Sequence, residues 1–416
     1  MSLQTIKFDE EAFELSILNQ LLVPHQTSFL PIYCMAPCDE LEKDRSFSGY
    51  DAIKGMYTRG APAIMLVGCF SIVVELNQVI NKSYNPFSYD LSNLSNFKSK
   101  LIERIDYLIR SRPTAVNLLN GCNEIKDLIS VAKDLNELFT SIADFSIRLY
   151  QEDLASNYAI GDNGVKYIYE ELEKEGFEGD FSVMTICNTG SLATSGYGTA
   201  LGVIRSLHKE ANTNKTSKFK MSHVYACETR PYNQGARLTS YELDFEKIPF
   251  SLIPDSSVAF LMDTLTRQIP NRGFEDMAPL KFILVGSDRI VKNGDLANKI
   301  GTFQLSCVAS QYPSIKFIGA APTTTMDFNT ETGDDITIEQ RPKNEMTELM
   351  GGEIDQSGNY ITNEQGVVKL TNVKLAPQGI DTWNPSFDVT PHKFIDCIVT
   401  EKDYLVKDSN GEFHLQ

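Results

Sequence analysis

The thiol of Cys187 and the carboxylate of Asp288 are the two groups in this chain with the strongest claim to chemistry. Cys187 ends an apolar, β-prone run and opens the CNTG of TICNTGSLATSGYGTALGVIR, residues 185–205. Gly190, Gly196 and Gly198 follow among Ser and Thr, and Leu201, Ile204 and Leu207 then share one face of a helical pattern. A strand, a Gly-rich loop and a helix make an anion site, because loop N–H groups and the helix dipole both favour negative charge. A thiol near a helix N-terminus also ionises more readily than a free cysteine. The competing reading is that Cys187 is a small buried hydrophobe, the usual fate of a free cysteine. Asp288 follows the apolar run 281–285 and stands in GSDRIVKNGDLANKIGT, residues 286–302. Partial burial there would raise its pKa towards the range useful for proton transfer. Its alternative is a helix cap or an arginine partner.

Around this pair the sequence offers polar groups suited to a phosphorylated ligand. Arg59 sits in the turn TRGAP, residues 58–62, and Arg112 in SRPTAVN, residues 111–117. A guanidinium binds phosphate through two parallel bonds, although a single surface arginine is more often just solvated. Gln234 lies in ETRPYNQGARLTSYEL, residues 228–243, where it either reaches a ligand or caps a helix starting near Ala236. Asn298 and Lys299 come ten and eleven residues after Asp288, and the pattern puts them on the following helix.

These loops need elements to position them. Residues 1–150 read as mostly helical: short at 51–57, deeply apolar at 61–74, then amphipathic at 101–109 and 124–151. Pro62 fits the first turn of the apolar helix. That run stops at Glu75, which is too short to span a bilayer. From residue 181 the period changes. Short β-rich runs at 181–187, 223–227, 251–253, 281–285 and 315–319 alternate with helical stretches, which predicts right-handed crossovers and an open parallel sheet. Ligands bind such sheets outside the carboxyl ends of the strands, so the loops after 187, 227 and 285 are expected to converge on one crevice. Residues 335–374 are polar with short alternating runs and read as hairpins. The expected architecture is α/β, with a mostly helical N-terminal domain at 1–150 and a Rossmann-like domain at 151–416.

The chain has 416 residues, 42% of them hydrophobic and 22% charged, as in an ordinary soluble globular protein. Its net charge of −17 argues against broad nucleic-acid binding but leaves room for a focused cationic cleft. Eight cysteines at irregular spacing suggest a reducing compartment rather than a disulfide framework. The N-terminus does not read as a signal peptide. The five histidines show no paired ligand spacing, and Cys34 with Cys38 makes only half of a metal site, so no metal is expected.

RGAPAI (59–64), SRPTAVNL (111–118), the CNTG segment, ETRPYNQGARLT, GSDRIVKNGDLANKIGT and WNPSFDVTP (383–391) occur in this order. Together, from about residue 48 to 401, they resemble the methylthioribose-1-phosphate isomerase family of the methionine salvage pathway. The resemblance implies isomerisation of 5-methylthioribose 1-phosphate to 5-methylthioribulose 1-phosphate without metal or nucleotide, by a homodimer in the cytoplasm, with the nucleus as a further location. By motif match it puts the catalytic pair on Cys187 and Asp288. It puts substrate contacts on Arg59, Gly60, Ala61, Arg112, Gln234, Asn298 and Lys299. Ser287 stands where the family commonly has alanine, and Met65 where glycine is common. Two relatives share the fold. Ribose-1,5-bisphosphate isomerases carry a similar pair but need a second phosphate pocket. The regulatory subunits of the translation-initiation guanine-nucleotide exchange factor generally lack the Cys and Asp motifs present here.

Overall fold

A computed structural model describes residues 3–41, 46–113, 116–214, 216–269, 272 and 276–415. Thr114 and Ala115 of the SRPTAVNL motif fall outside them. The chain forms two compact units, one of Ser2–Ala155 with Ser191–Gly196, the other of Ser156–Gly190 with Tyr197–Gln416.

The N-terminal unit opens with strands that the sequence reading did not anticipate. β1 (Ile6–Asp9), β2 (Glu14–Leu18) and β3 (Phe29–Ile32) pair antiparallel in that order. Runs of four or five residues are too short to show a clear period. Helices follow: α1 (Gly49–Lys54), α2 (Ala61–Leu76), α3 (Leu94–Ile109) and α4 (Val116–Val131). α5 (Leu135–Glu175) runs for 41 residues and carries the chain from one unit into the other. α2 is apolar on all sides and forms the centre of the unit's core, packed by Leu101, Ile105, Leu108, Leu118 and Ile125. Its one buried charge, Glu75, is met by Arg104 (Nε–Oε1 2.5 Å), the Tyr89 hydroxyl at 2.7 Å and the Met35 N–H at 2.9 Å. That network removes the cost of an unpaired buried carboxylate. Because a π-helical turn continues α2 to Asn81, the segment is 21 residues long, enough by length and composition to cross a membrane. The shorter span read from the sequence is thereby corrected. In the structure 83% of its most apolar window is buried in the protein, as in a core helix.

The second unit is the expected open α/β sheet. Its strands are β4 (Gly179–Thr185), β5 (Phe219–Cys227), β6 (Phe250–Ile253), β7 (Leu280–Val285), β10 (Lys316–Ala320), β15 (Cys397–Val399) and β16 (Tyr404–Val406). The order is β16-β15-β10-β7-β4-β5-β6, with every pairing parallel except β15 with β16. Helices α6 (Ala200–Thr213), α7 (Ser240–Phe245), α8 (Val258–Arg267) and α9 (Thr302–Ala309) connect them. Both faces are covered. Phe181, Val183 and Phe282 pack with Leu201 and Ile204 on one side, and Met184, Ile186 and Ile283 pack with Leu261 and Leu265 on the other. Burial on both faces explains why these strands read as continuous apolar runs rather than alternating ones. A smaller sheet, β11-β8-β9-β14, is built from β8 (Arg289–Val291), β9 (Leu296–Lys299), β11 (Met326–Asp327) and β14 (Phe387–Thr390). The polar region ahead of β14 does form a hairpin, β12 (Glu348–Gly352) with β13 (Leu370–Lys374).

Candidate active site

Strand order reverses at β4. The chain steps outward on one side to β5 and β6, then returns with β7 on the other side of β4. This reversal opens a crevice beyond the carboxyl ends of β4 and β7, the place where open α/β sheets bind ligands. Cys187 lies two residues past the end of β4, and Asp288 three residues past the end of β7. The strands pair directly, Thr185 opposite Leu284, so their backbones run about 4.8 Å apart. Groups 101 positions apart in sequence therefore leave the sheet side by side.

The loops that carry them touch. A Cβ placed on Gly286 would lie 2.2 Å from Thr189 Cγ2, so only glycine lets the loop after β7 pass this close to CNTG. The loop after β5 reaches Cys187 itself. The Cys187 N–H donates to Thr229 Oγ1 at 2.8 Å, and the Thr239 hydroxyl donates to the Cys187 carbonyl. Beside it, Asn188 Nδ2 donates to Glu242 Oε1 at 2.8 Å. Glu242 is fully buried and shares Arg205 with Glu246, at 2.6 and 2.7 Å. Three polar atoms of these loops, Thr189 Oγ1, Asn233 Oδ1 and Gln234 Oε1, are buried without a hydrogen-bond partner. Such atoms are costly unless something polar meets them, which suits a ligand site.

Three local expectations are corrected. Asn298 and Lys299 are on strand β9, not on a helix. The hairpin with β8 makes this so, and the Asp288 N–H donates to Ala297 O at 2.9 Å, which brings β9 alongside Asp288. Gln234 caps no helix through its side chain; it precedes a π-helical turn, Gly235–Thr239. Asp288 is exposed rather than partly buried. In addition, the helix following CNTG starts only at Ala200, beyond an excursion of Ser191–Gly196 into the other unit. The chain then returns, and the α6 N-terminus packs against the CNTG loop, with the Thr199 N–H donating to Thr189 O at 2.9 Å.

The remaining expected residues belong to the N-terminal unit. Arg59 is half-buried, and Gly60 and Ala61 open α2. Gly60 has φ +95°, and a Cβ there would lie 2.2 Å from Ala193 O. That carbonyl accepts the Ala63 N–H at 3.3 Å, so RGAP is shaped to hold Ser191–Gly196. Gly60 thus has a structural reason for being glycine. Arg112 is half-buried just past the end of α3. A cavity of about 780 Å³ in this unit is lined by Lys7, Asp9, Glu14, Asn77, Gln78 and Lys82, among others, and includes none of the expected site residues.

Sequence reasoning missed Thr229, Thr239, Glu242, Asp255 and Asp388. Asp388 accepts the Gly301 N–H at 2.7 Å and the Phe303 N–H at 3.1 Å, which caps α9 directly after Lys299. Burial pushes its carboxyl up to about 6, against those two N–H groups and the Lys299 charge. A charge inside an apolar run was the available signal: Asp388 in the strand FDVT and Arg205 in the helix ALGVIRSL.

Residues 58–405 match the initiation factor 2 subunit family. With the doubly covered sheet and its reversal at β4, this defines the class of protein, and the chain belongs to that family. Within it, the chain is 55% identical over 424 residues to the methylthioribose-1-phosphate isomerase of Komagataella phaffii, covering 100% of both. Among solved structures it is similar to the 5-methylthioribose 1-phosphate isomerase of Pyrococcus horikoshii, with a TM-score of 0.71 or better for this and the next neighbour. The first has TM-score 0.73 and 29% identity, covering 97% of this chain and 92% of that one. The second, the translation initiation factor eIF-2B subunit delta of A. fulgidus, has TM-score 0.71 and 28% identity, covering 99% and 98%.

Proposed function

We propose that this protein converts 5-methylthioribose 1-phosphate to 5-methylthioribulose 1-phosphate, an aldose–ketose isomerisation in methionine salvage. The observation that carries the proposal is the 55% identity along the whole of both chains to a relative of that name. The placement of Cys187 and Asp288 at the strand-order reversal supports it.

The chemistry sets a constraint. A phosphate ester on C1 prevents the sugar ring from opening as a free hemiacetal does. The site must help to break the ring C–O bond and move a hydrogen from C2 to C1. In this reading Asp288 is the acid and base, and Cys187 is a second polar group at the reacting carbons. Lys299, on the strand beside Asp288, offers positive charge to the phosphate, and the unpartnered Gln234 Oε1 and Thr189 Oγ1 receive sugar hydroxyls. The resemblance gives Arg59, Arg112 and Asn298 as substrate contacts, and in this reading the two arginines hold the phosphate together with Lys299. The acting form is a homodimer, and eight cysteines at irregular spacing suit a reducing compartment, the cytoplasm and with it the nucleus.

Purified protein given methylthioribose 1-phosphate should form the ketose, with ribose 1,5-bisphosphate run in parallel. Turnover of the bisphosphate alone would reassign the substrate. No turnover of either would favour a non-catalytic regulatory subunit; the A. fulgidus neighbour is named as subunit delta of the translation initiation factor eIF-2B.

A further inference from the structure

Cys187 adopts φ +69°, in the left-handed region that side chains other than glycine seldom occupy. Such a residue is strained and persists only where its surroundings over-determine it. Here both of its peptide groups are held by side-chain hydroxyls. Thr229 Oγ1 accepts the Cys187 N–H at 2.8 Å while donating its own proton to Cys227 O at 3.1 Å. Thr239 donates to the Cys187 carbonyl and accepts from Asn188 Nδ2 at 3.4 Å. Each hydroxyl is thus committed as donor and as acceptor. Thr229 is itself left-handed, at φ +61°. The Asp255 carboxylate secures it by accepting the N–H groups of Thr229 at 2.9 Å and of Arg230 at 2.7 Å. The chain of bonds therefore runs from the end of β6, through the loop after β5, to the residue beyond β4.

We propose that Thr229 and Thr239 are positioning residues that clamp Cys187 in its left-handed conformation and so set where its thiol stands at the mouth of the β4–β7 crevice. The proposal rests on the reading of Cys187 as a group that acts on substrate. Neither threonine touches the reacting atoms. Their effect is on placement, and a displacement of about 1 Å at a reacting group is enough to lose on the order of 10²-fold in rate.

The test uses the full chain carrying Thr239→Val, Thr239→Ser, Thr229→Val or Thr229→Ser. Turnover of methylthioribose 1-phosphate is measured, together with the pH dependence of Cys187 alkylation by iodoacetamide, followed on its own peptide by mass spectrometry. The valine variants should lose roughly 10- to 100-fold in kcat with KM changed less than about threefold, and the alkylation profile of Cys187 should shift. The serine variants, which keep the hydroxyl, should return both readouts close to wild type. Wild-type kcat and alkylation in a folded valine variant would overturn the clamp, as would serine variants no better than valine, which would mean that only packing matters. Should Thr239→Val not fold, the Thr229 pair reads the other half of the clamp. Full activity in Cys187→Ala would instead remove Cys187 from catalysis, and the alkylation profiles would still decide whether the threonines hold it.

Discussion

Asp288→Asn keeps the shape of the side chain and most of its hydrogen-bonding capacity, yet cannot exchange a proton in the same way. If Asp288 is the acid and base, this variant should still bind the sugar phosphate but lose turnover by a factor on the order of 10² to 10⁴. Cys187→Ser should also lose turnover, and if both groups act in one step the double variant should be little worse than the poorer single one. Steady-state kinetics on the three proteins checks this, and near-wild-type turnover in Asp288→Asn would remove its acid–base role. Arg112 is a different case. A phosphate is held equally in the ground and transition states, so Arg112→Ala should mainly raise KM. A charge-assisted bond of roughly 1.5–3 kcal/mol corresponds to about 10- to 150-fold. An unchanged KM in the folded variant would place Arg112 outside the site.

At the scale of elements, two buried charges hold the frame. Asp388 caps α9 at the end of the β9 segment that carries Asn298 and Lys299. Its folded pKa of about 6 lies above the ordinary 3.8, so the folded protein binds this proton more tightly than the unfolded chain. The resulting contribution to stability is fully present below about pH 4 and is lost as pH rises through about 6, amounting to roughly 3 kcal/mol at most. Asp388→Asn keeps an acceptor for the cap but removes the titration. The difference in unfolding free energy between wild type and variant should change across this window and be flat on either side of it, as read by urea unfolding at a series of pH values. Arg205 neutralises Glu242 and Glu246 beneath the CNTG loop. Arg205→Ala removes the cation shared by the buried Glu242 and the half-buried Glu246 and should cost on the order of 3–5 kcal/mol. Thermal unfolding would show this as a large drop in Tm, and a drop of only a degree or two would mean that the network relaxes at little cost.

The molecule as a whole is expected to act as a homodimer, and light scattering at micromolar concentration should return twice the chain mass. A monomeric mass would count against it. The apolar run at 61–74 suggested that the N-terminal half contributes to such an interface. The structure removes that particular reason, because α2 spends its apolar surface inside its own unit. Its length and composition matched those of a membrane span, and only its surroundings mark it as a core helix.

The α/β class, the five parallel strands and the loops at their carboxyl ends were legible in the chain itself. Strands buried on both faces leave continuous apolar runs, and the Gly-, Asn- and Asp-rich segments between them stand out by composition. The motifs of the resemblance pointed to the family in the same way. Tertiary structure decided what depends on neighbours distant in sequence. It put Asn298 and Lys299 on a strand, since a four-residue segment takes its conformation from the partner it pairs with. It left Asp288 exposed, and it turned Cys187 to φ +69°, a conformation that no local preference favours. That angle exists because Thr229 and Thr239, 42 and 52 positions further along the chain, bond to its backbone, and a linear pattern of residue types carries no record of such a bond.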